Sequence, residues 1–318
     1  MNNILKSVNI CTIGGCTGSS VLLRGLKNCT DFLTAIVTVS DDGGSSGILR
    51  KELGVLPPGD FRNCVAALSD SENIIKELFD YRFYQGKGLK GHSLGNLLIA
   101  AMSDITGNFE EGLNQSAKIL GAKGTVLPSS LDDIVLQAKL TDGSQVNGES
   151  LIPLKKGKIS SVNLNPESAK GTDSAINALL KADLIIVGPG SLYTSLIPPL
   201  LVKDLTNVIK ESSALKIYIC NVATQKGETD GFSVYDHIVA IEQHTYKDIF
   251  DYIVADENDN TPITTHDETP ITISKNDQDN PKVLQFDIKS AEHSLRHDSN
   301  KLSNCIKKIY NLWINSSN

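Results

Sequence analysis

Residues 8–26 read Val-Asn-Ile-Cys-Thr-Ile-Gly-Gly-Cys-Thr-Gly-Ser-Ser-Val-Leu-Leu-Arg-Gly-Leu. Val8 to Ile13 is a short apolar run with β-branched residues, the pattern of a buried strand. Gly14-Gly15-Cys16-Thr17-Gly18 interrupts it, and Val21, Leu22, Gly25 and Leu26 then recur at helical spacing. Between a strand and a helix, glycines let backbone N–H groups approach a phosphate, and the helix N-terminus adds partial positive charge. Gly14, Gly15, Thr17, Gly18 and Ser19 are therefore candidate ligand contacts. The turn lacks both the G-x-G-x-x-G spacing and the P-loop lysine. A plain β–α turn stands beside the anion-binding reading.

The same rhythm continues outward. A second strand, Leu33 to Val39, ends in Ser40-Asp41-Asp42-Gly43-Gly44. A carboxylate at this place commonly accepts from a ribose hydroxyl, and two adjacent carboxylates suit Mg²⁺; a polar turn is the alternative. Pro57-Pro58-Gly59-Asp60-Phe61-Arg62-Asn63 leads into a helix, with Asp60 as N-cap or ligand and Arg62, in the first turn, as a phosphate contact or a surface arginine. Gly91-His92-Ser93-Leu94-Gly95-Asn96 leads into another, capped by Ser93 and carrying a stripe of Leu94, Leu97, Leu98, Ala101 and Ile105. His92 and Asn96 lie off that stripe, and Asn96 is expected to face solvent. Two more strands follow. Leu184 to Val187 ends in Gly188-Pro189-Gly190-Ser191-Leu192-Tyr193, and Leu215 to Val222 includes Asn221 and leads to Gly227-Glu228-Thr229-Asp230. Strands alternating with helices predict an α/β fold with a doubly wound, mostly parallel sheet over a single domain, 1–318. Residues 124–164 break the rhythm with a turn signal at Thr141-Asp142-Gly143 and predict a small antiparallel excursion. Four loops at strand ends, after residues 13, 40, 187 and 222, converge where open α/β sheets bind ligands.

Composition narrows the function. The 318 residues are 40% hydrophobic and 21% charged, with a net charge of −7, ordinary for a globular protein and unfavourable for broad contact with nucleic acid or anionic lipid. The acidic excess sits in residues 251–300, with eleven Asp/Glu against four Lys/Arg. Six cysteines without a C-x-x-C pair argue for reduced thiols in a cytoplasmic protein rather than a zinc site or disulfide framework. No export signal is visible, and the apolar run Leu94 to Met102 is too short to span a bilayer. G-x-S-x-G, H-E-x-x-H and the protein-kinase signatures are absent.

Taken together, I-G-G-C-T-G-S-S-V-L-L-R-G-L, L-T-A-I-V-T-V-S-D-D-G-G-S-S-G, L-G-V-L-P-P-G-D-F-R-N, G-H-S-L-G-N, V-G-P-G-S-L-Y-T-S and C-N-V-A-T-Q-K-G-E-T-D-G resemble the YvcK family of gluconeogenesis factors, within the CofD-like phospho-lactate transferases. The resemblance covers residues 8–250 and returns at Leu295-Arg296-His297-Asp298. It implies a Rossmann-like CofD fold and a cytoplasmic bacterial protein needed for cell shape and envelope synthesis on gluconeogenic carbon sources. It also implies binding of a UDP-sugar, notably UDP-N-acetylglucosamine. Arg296 corresponds to a family UDP-sugar contact, and donor-phosphate contacts map onto Gly14–Ser19 and Asn96. The acidic residues that serve metal and acceptor in the transferases map onto the loops of Asp41, Asp42 and Asp60. Gly188, Gly190, Ser191, Tyr193, Asn221 and Asp230 complete the expected ligand-binding set. Two features depart from the family pattern: Cys16 stands where the family usually has glycine, and no tyrosine occupies the segment near 256–275.

Two functions follow as expectations. The first is a nucleotide-sugar-binding regulatory factor whose occupancy changes protein partnering. The second is a Mg²⁺-dependent transferase acting on a nucleotide donor. NAD is a weaker alternative ligand for the first βαβ unit, and homo-oligomer formation is left open.

Overall fold

The computed structural model describes residues 4–70, 73–155, 157–257, 269–293 and 295–316. In chain order the elements are β1 (Asn9–Gly14), α1 (Cys16–Leu26), β2 (Phe32–Val37), α2 (Gly44–Leu53), α3 (Gly59–Leu68), α4 (Asn73–Asp80), α5 (Leu94–Thr106) and α6 (Phe109–Ile119). Next come β3 (Thr125–Pro128), β4 (Val135–Leu140), β5 (Gln145–Asn147), β6 (Ile159–Asn165), α7 (Asp173–Leu180), β7 (Leu184–Val187), α8 (Ile197–Leu201) and α9 (Lys203–Glu211). The chain finishes with β8 (Leu215–Ile219), α10 (Val234–His244), β9 (Tyr252–Asp256), α11 (Lys275–Gln278), β10 (Val283–Phe286) and α12 (Ser299–Ser316).

Seven strands form one sheet in the order β10-β9-β8-β7-β1-β2-β3, and every pairing is parallel. Leu184-Ile185-Ile186-Val187 is buried at all four positions, as a central strand covered on both faces must be. From β1 the chain winds outward through β2 and β3. It then returns to the other side of β1 as β7 and winds outward again. The reversal lies between β1 and β7, paired from Ile10–Leu184 to Ile13–Val187. Loops leaving these two strands diverge, so a crevice opens at their carboxyl ends.

The structure corrects three expectations. Thr125–Pro128 pairs parallel with β2, so the excursion starts later, as the antiparallel sheet β5-β4-β6. A four-residue edge strand ending in proline carries little pattern of its own. Asp60 is not an N-cap; it lies inside the first turn of α3, after Pro58. In α5 the buried residues are Gly95, Asn96, Ile99, Ala100 and Ser103, while Ile105 is 76% exposed. Small residues select that face: a Cβ on Gly112 of α6 would lie 2.5 Å from the Ser103 amide nitrogen, so α5 and α6 close only there.

On α12, Leu302, Ile306 and Ile309 recur at helical spacing and are buried. The helix lies against α1 at Gly25, where an added Cβ would sit 2.1 Å from the Ser299 carbonyl oxygen. Backbone cannot rotate aside, so Gly25→Ala is expected to destabilise the protein by about 1–3 kcal/mol. A lowered midpoint of thermal unfolding checks this; an unchanged midpoint would show that α12 is free to shift.

Candidate functional site

The crevice at the reversal point is built from backbone. A Cβ on Gly18, in the first turn of α1, would stand 2.4 Å from the Pro189 carbonyl oxygen, and one on Gly190 would stand 3.6 Å from the Gly15 carbonyl. At Gly18 the two glycine loops touch backbone to backbone, which only glycine permits, and the space beside that contact is lined from both loops. The resulting cavity, about 340 Å³, is lined by Thr17 and Gly18 from α1, Gly190 and Ser191 after β7, and Asn221 to Gln225 after β8. Leu295, Arg296 and His297 close its far side. Its volume lies in the range of small-molecule sites.

Two side chains fasten the walls. The Asn221 amide takes both backbone atoms of Gly190: its Oδ1 accepts from the Gly190 N–H at 3.0 Å and its Nδ2 donates to the Gly190 carbonyl at 2.8 Å. Gln225 Nε2 donates to Ser191 Oγ at 2.7 Å. Opposite them, His297 Nε2 meets the Cys220 carbonyl at 3.1 Å. Burial depresses the His297 pKa to about 4, so a neutral imidazole makes that bond and pins the 295–297 loop to the end of β8. Arg296 is thereby carried to the crevice rim, where it is exposed.

Beside the crevice lies a group of acidic side chains. The N-termini of α1, α2 and α3 meet here: a Cβ on Gly15 would fall 2.4 Å from Asp60 Oδ2, and Ser46 Oγ accepts the Gly59 N–H at 3.0 Å. Their dipoles offset the acidity of Asp41 and the buried Asp60. Asp41 Oδ1 accepts from the Gly43 amide at 2.9 Å; burial raises its pKa, while the Gly43 and Ser46 bonds oppose that rise. Ser40 Oγ donates to Glu149 Oε2 at 2.5 Å. Burial first, then the charges of Asp41 and Asp60, push the Glu149 carboxyl well above its ordinary value. Glu228 is 8% exposed, and desolvation raises its pKa to about 7 against bonds from Thr194 and the Tyr193 and Thr194 amides.

Other expected site residues are placed differently. Asp42 Oδ1 accepts the Ser150 N–H at 2.8 Å, which ties the antiparallel excursion to the end of β2. Arg62 gives Nη1 to Asp80 and Nη2 to Asn63 Oδ1, both at 2.6 Å, and its stem lies 2.9 Å from the Cβ position of Gly95. His92 and Asn96 are buried, at 5% and 3% exposure, which corrects the expectation that Asn96 faces solvent. The α5 N-terminus is turned inward: Ser45 Oγ meets His92 Nδ1 at 2.9 Å and accepts from Asn96 Nδ2 at 3.1 Å. Ser93 caps this helix as expected. Ser19 is buried behind Gly14, whose Cβ position is 2.7 Å from Ser19 Oγ. Gly188 adopts φ +84° at the turn out of β7. Tyr193 is a core residue, edge-on to Phe232 and His244, and burial lifts its hydroxyl to about 12. Asp230 closes a turn by accepting the Gly227 N–H at 2.6 Å.

The Mg²⁺ expectation finds no assembled cage. Among the described residues no three His, Cys, Asp or Glu side chains are grouped to hold a metal ion, and Asp41 and Asp42 each accept a backbone amide. The side chain of Cys16 and residues 258–268, within the segment where the family tyrosine is expected, lie outside the described residues. Sequence reasoning misses Glu149, Glu228, Gln225 and the pinning role of His297. Glu228 and His297 sit inside the motifs that carry the family resemblance and are within its reach; Glu149, 109 residues from Ser40, carries no local signal. Among the described residues no helix is long and apolar enough to cross a membrane.

Residues 10–296 match the family described as 2-phospho-L-lactate transferase CofD. A gluconeogenesis factor from Halalkalibacterium halodurans is 52% identical over 250 residues, 79% of this chain and 78% of the relative. The Bacillus subtilis gluconeogenesis factor is 49% identical over 250 residues, 79% of each chain. The chain spans only about half, 52%, of a Nostoc sp. relative to which it is 55% identical over 239 residues. A crystal structure of a UPF0052-family protein from Bacillus halodurans superposes with a TM-score of 0.89 at 44% identity, covering 95% of this chain and 99% of that one. The chain belongs to the CofD family, in its gluconeogenesis-factor branch.

Proposed function

We propose that the crevice between the glycine loops of β1 and β7 binds a nucleotide sugar of the UDP-N-acetylglucosamine class. Occupancy would regulate protein partners that serve cell morphogenesis and envelope synthesis during gluconeogenic growth. The observation that carries this reading is the placement of Arg296 on the same cavity as Gly18, Gly190 and Ser191. A diphosphate between helix amides and one guanidinium needs no lysine and no metal. A phosphate ligand is thereby compatible with a net charge of −7.

Thermal-shift titration tests it. A ligand at 100 times its Kd stabilises the folded state by about 2.7 kcal/mol, so UDP-N-acetylglucosamine is expected to raise the unfolding midpoint. Arg296→Gln removes a charged contact worth about 1.5–3 kcal/mol, so at least about tenfold more ligand is expected for the same shift. NAD is the control, and an equal response to NAD would make the site a general nucleotide crevice. Transfer chemistry is the second reading, favoured by the Asp60 carboxylate at the α1 N-terminus. Mg²⁺-dependent turnover of a nucleotide donor would put it in place of the regulatory one.

A further inference from the structure

Within the crevice, Asn221 makes an unusual pair of contacts. Its side chain satisfies both the N–H and the C=O of one residue, Gly190, at 3.0 and 2.8 Å. The donor nitrogen also reaches Gln225 Oε1 at 3.5 Å, and Gln225 turns its own amide nitrogen onto Ser191 Oγ. The loop after β8 therefore holds the loop after β7 by two consecutive residues. The held residues bear directly on the ligand space. The Pro189 carbonyl is the atom that approaches the Cβ position of Gly18 at 2.4 Å, and Gly190 and Ser191 line the cavity. Gly190 has no side chain with which to fix its own peptide planes, so without an external clamp they would rotate at little cost.

We propose that Asn221 is a positioning residue for ligand recognition rather than a ligand contact. Its amide orders the peptide planes at 189–191 before the ligand arrives. The entropy of ordering that wall is then met in folding, not in binding. The proposal rests on the nucleotide-sugar reading of the crevice and adds the residue on which its affinity depends.

The chemistry of the clamp supplies a test. It needs one donor and one acceptor on a single planar group. A carboxylic acid matches that pattern when protonated, and a carboxylate does not. In Asn221→Asp the protonated form can donate to the Gly190 carbonyl and accept from its N–H; the ionised form faces the carbonyl oxygen with a second negative oxygen. The charged and titratable neighbours are Arg296 and His297 on the same cavity, the Cys220 thiol one residue before, and Glu228, which accepts from Thr194 just beyond the clamped loop and whose titration near pH 7 is common to wild type and variants and cancels on normalisation. Burial keeps His297 neutral and Cys220 protonated through the neutral range. Each phosphate of a nucleotide sugar carries one ester and one anhydride link and stays singly negative throughout this range. A pH dependence peculiar to the variant therefore reports the new carboxyl.

The experiment measures UDP-N-acetylglucosamine affinity for the wild type, Asn221→Asp and Asn221→Leu between about pH 3.5 and pH 8, a range that brackets the ordinary aspartate value of about 3.9 and any rise caused by facing a carbonyl oxygen, each normalised to the wild type at the same pH. Hydrogen exchange at the Gly190 amide is measured without ligand. Asn221→Asp is expected to bind at least about tenfold more weakly at high pH and to recover most of that loss at low pH. Asn221→Leu is expected to be weak throughout, with faster exchange at Gly190. Wild-type affinity in both variants with unchanged Gly190 exchange would overturn the proposal, as would an equal, pH-independent loss in both. If the wild type itself does not bind the nucleotide sugar, the ligand reading fails. The exchange arm still decides the clamp: faster Gly190 exchange in Asn221→Leu supports it, and unchanged exchange overturns it.

Discussion

Gly18→Val is expected to abolish nucleotide-sugar binding. The Cβ position of Gly18 lies 2.4 Å from the Pro189 carbonyl oxygen, 2.7 Å from its carbon and 3.0 Å from the Gly190 nitrogen. All three are backbone atoms, so no side-chain rotation relieves the overlap. Valine must push the 188–191 loop away from α1, against the hold of Asn221, and the crevice loses the facing geometry of its two glycine loops. A loss of about 100-fold or more in affinity is expected, since about 2.7 kcal/mol of misplaced contacts suffices. Overpacking should also destabilise the fold by about 1–3 kcal/mol. Gly18→Ala makes the smaller version of the same clash and is expected to fold and to bind more weakly than the wild type. Titration calorimetry on folded protein reads both effects; wild-type affinity in Gly18→Val would mean that the ligand does not sit between these loops.

The second large effect concerns Glu228. Burial raises its carboxyl from the ordinary 4.5 to about 7, so ionising it is harder in the folded than in the unfolded chain. The sign follows from proton binding: between about pH 4.5 and 7 the folded state holds the proton more tightly, and stability falls as pH rises. Below that window both states are protonated and the penalty is absent; above it the penalty is complete. At 1.36 kcal/mol per tenfold in proton affinity, the full penalty is about 3 kcal/mol. Glu228→Gln keeps an acceptor for the Thr194 hydroxyl and for the Tyr193 and Thr194 amides, but carries no charge. The variant is expected to be more stable than the wild type at pH 8 by up to about 3 kcal/mol and equal to it near pH 4. Chemical denaturation across pH reads the difference. A constant offset at every pH would assign the change to hydrogen bonding instead.

The charge of Glu228 adds slightly to the rise of the Glu149 carboxyl, after burial, Asp41 and Asp60. Glu149 belongs to the turn that carries the antiparallel excursion back to the main sheet, through Ser40 and through the Asp42 contact to Ser150.

Much of this architecture is legible in the amino-acid sequence. Val8 to Ile13 and Leu184 to Val187 announce buried strands through mostly apolar, β-branched character, and they form the adjacent pair β1 and β7 at the reversal point. Glycine-rich endings on both mark the crevice for the same reason that it exists: backbone must approach backbone there. Features that depend on distant chain are not legible. Asp42 reads as a ligand because it follows a strand, but an amide 108 residues away takes it. Arg62 sits in a first helical turn, as an anion contact would, yet Asp80 and Asn63 engage its guanidinium. The stripe on α5 is apolar, but the face that packs is selected by the small residues Ser103 and Gly112. Short edge strands β3 and β10 take their place from their neighbours rather than from their own four residues.

The central claim is that one nucleotide sugar binds between the glycine loops with Arg296 at its side. Isothermal titration of the wild-type chain with UDP-N-acetylglucosamine, run beside Arg296→Gln, tests it most directly. The account predicts saturable binding of about one ligand per chain, weakened at least about tenfold in the variant. No binding by folded protein at millimolar ligand, or equal binding by wild type and variant, would contradict it.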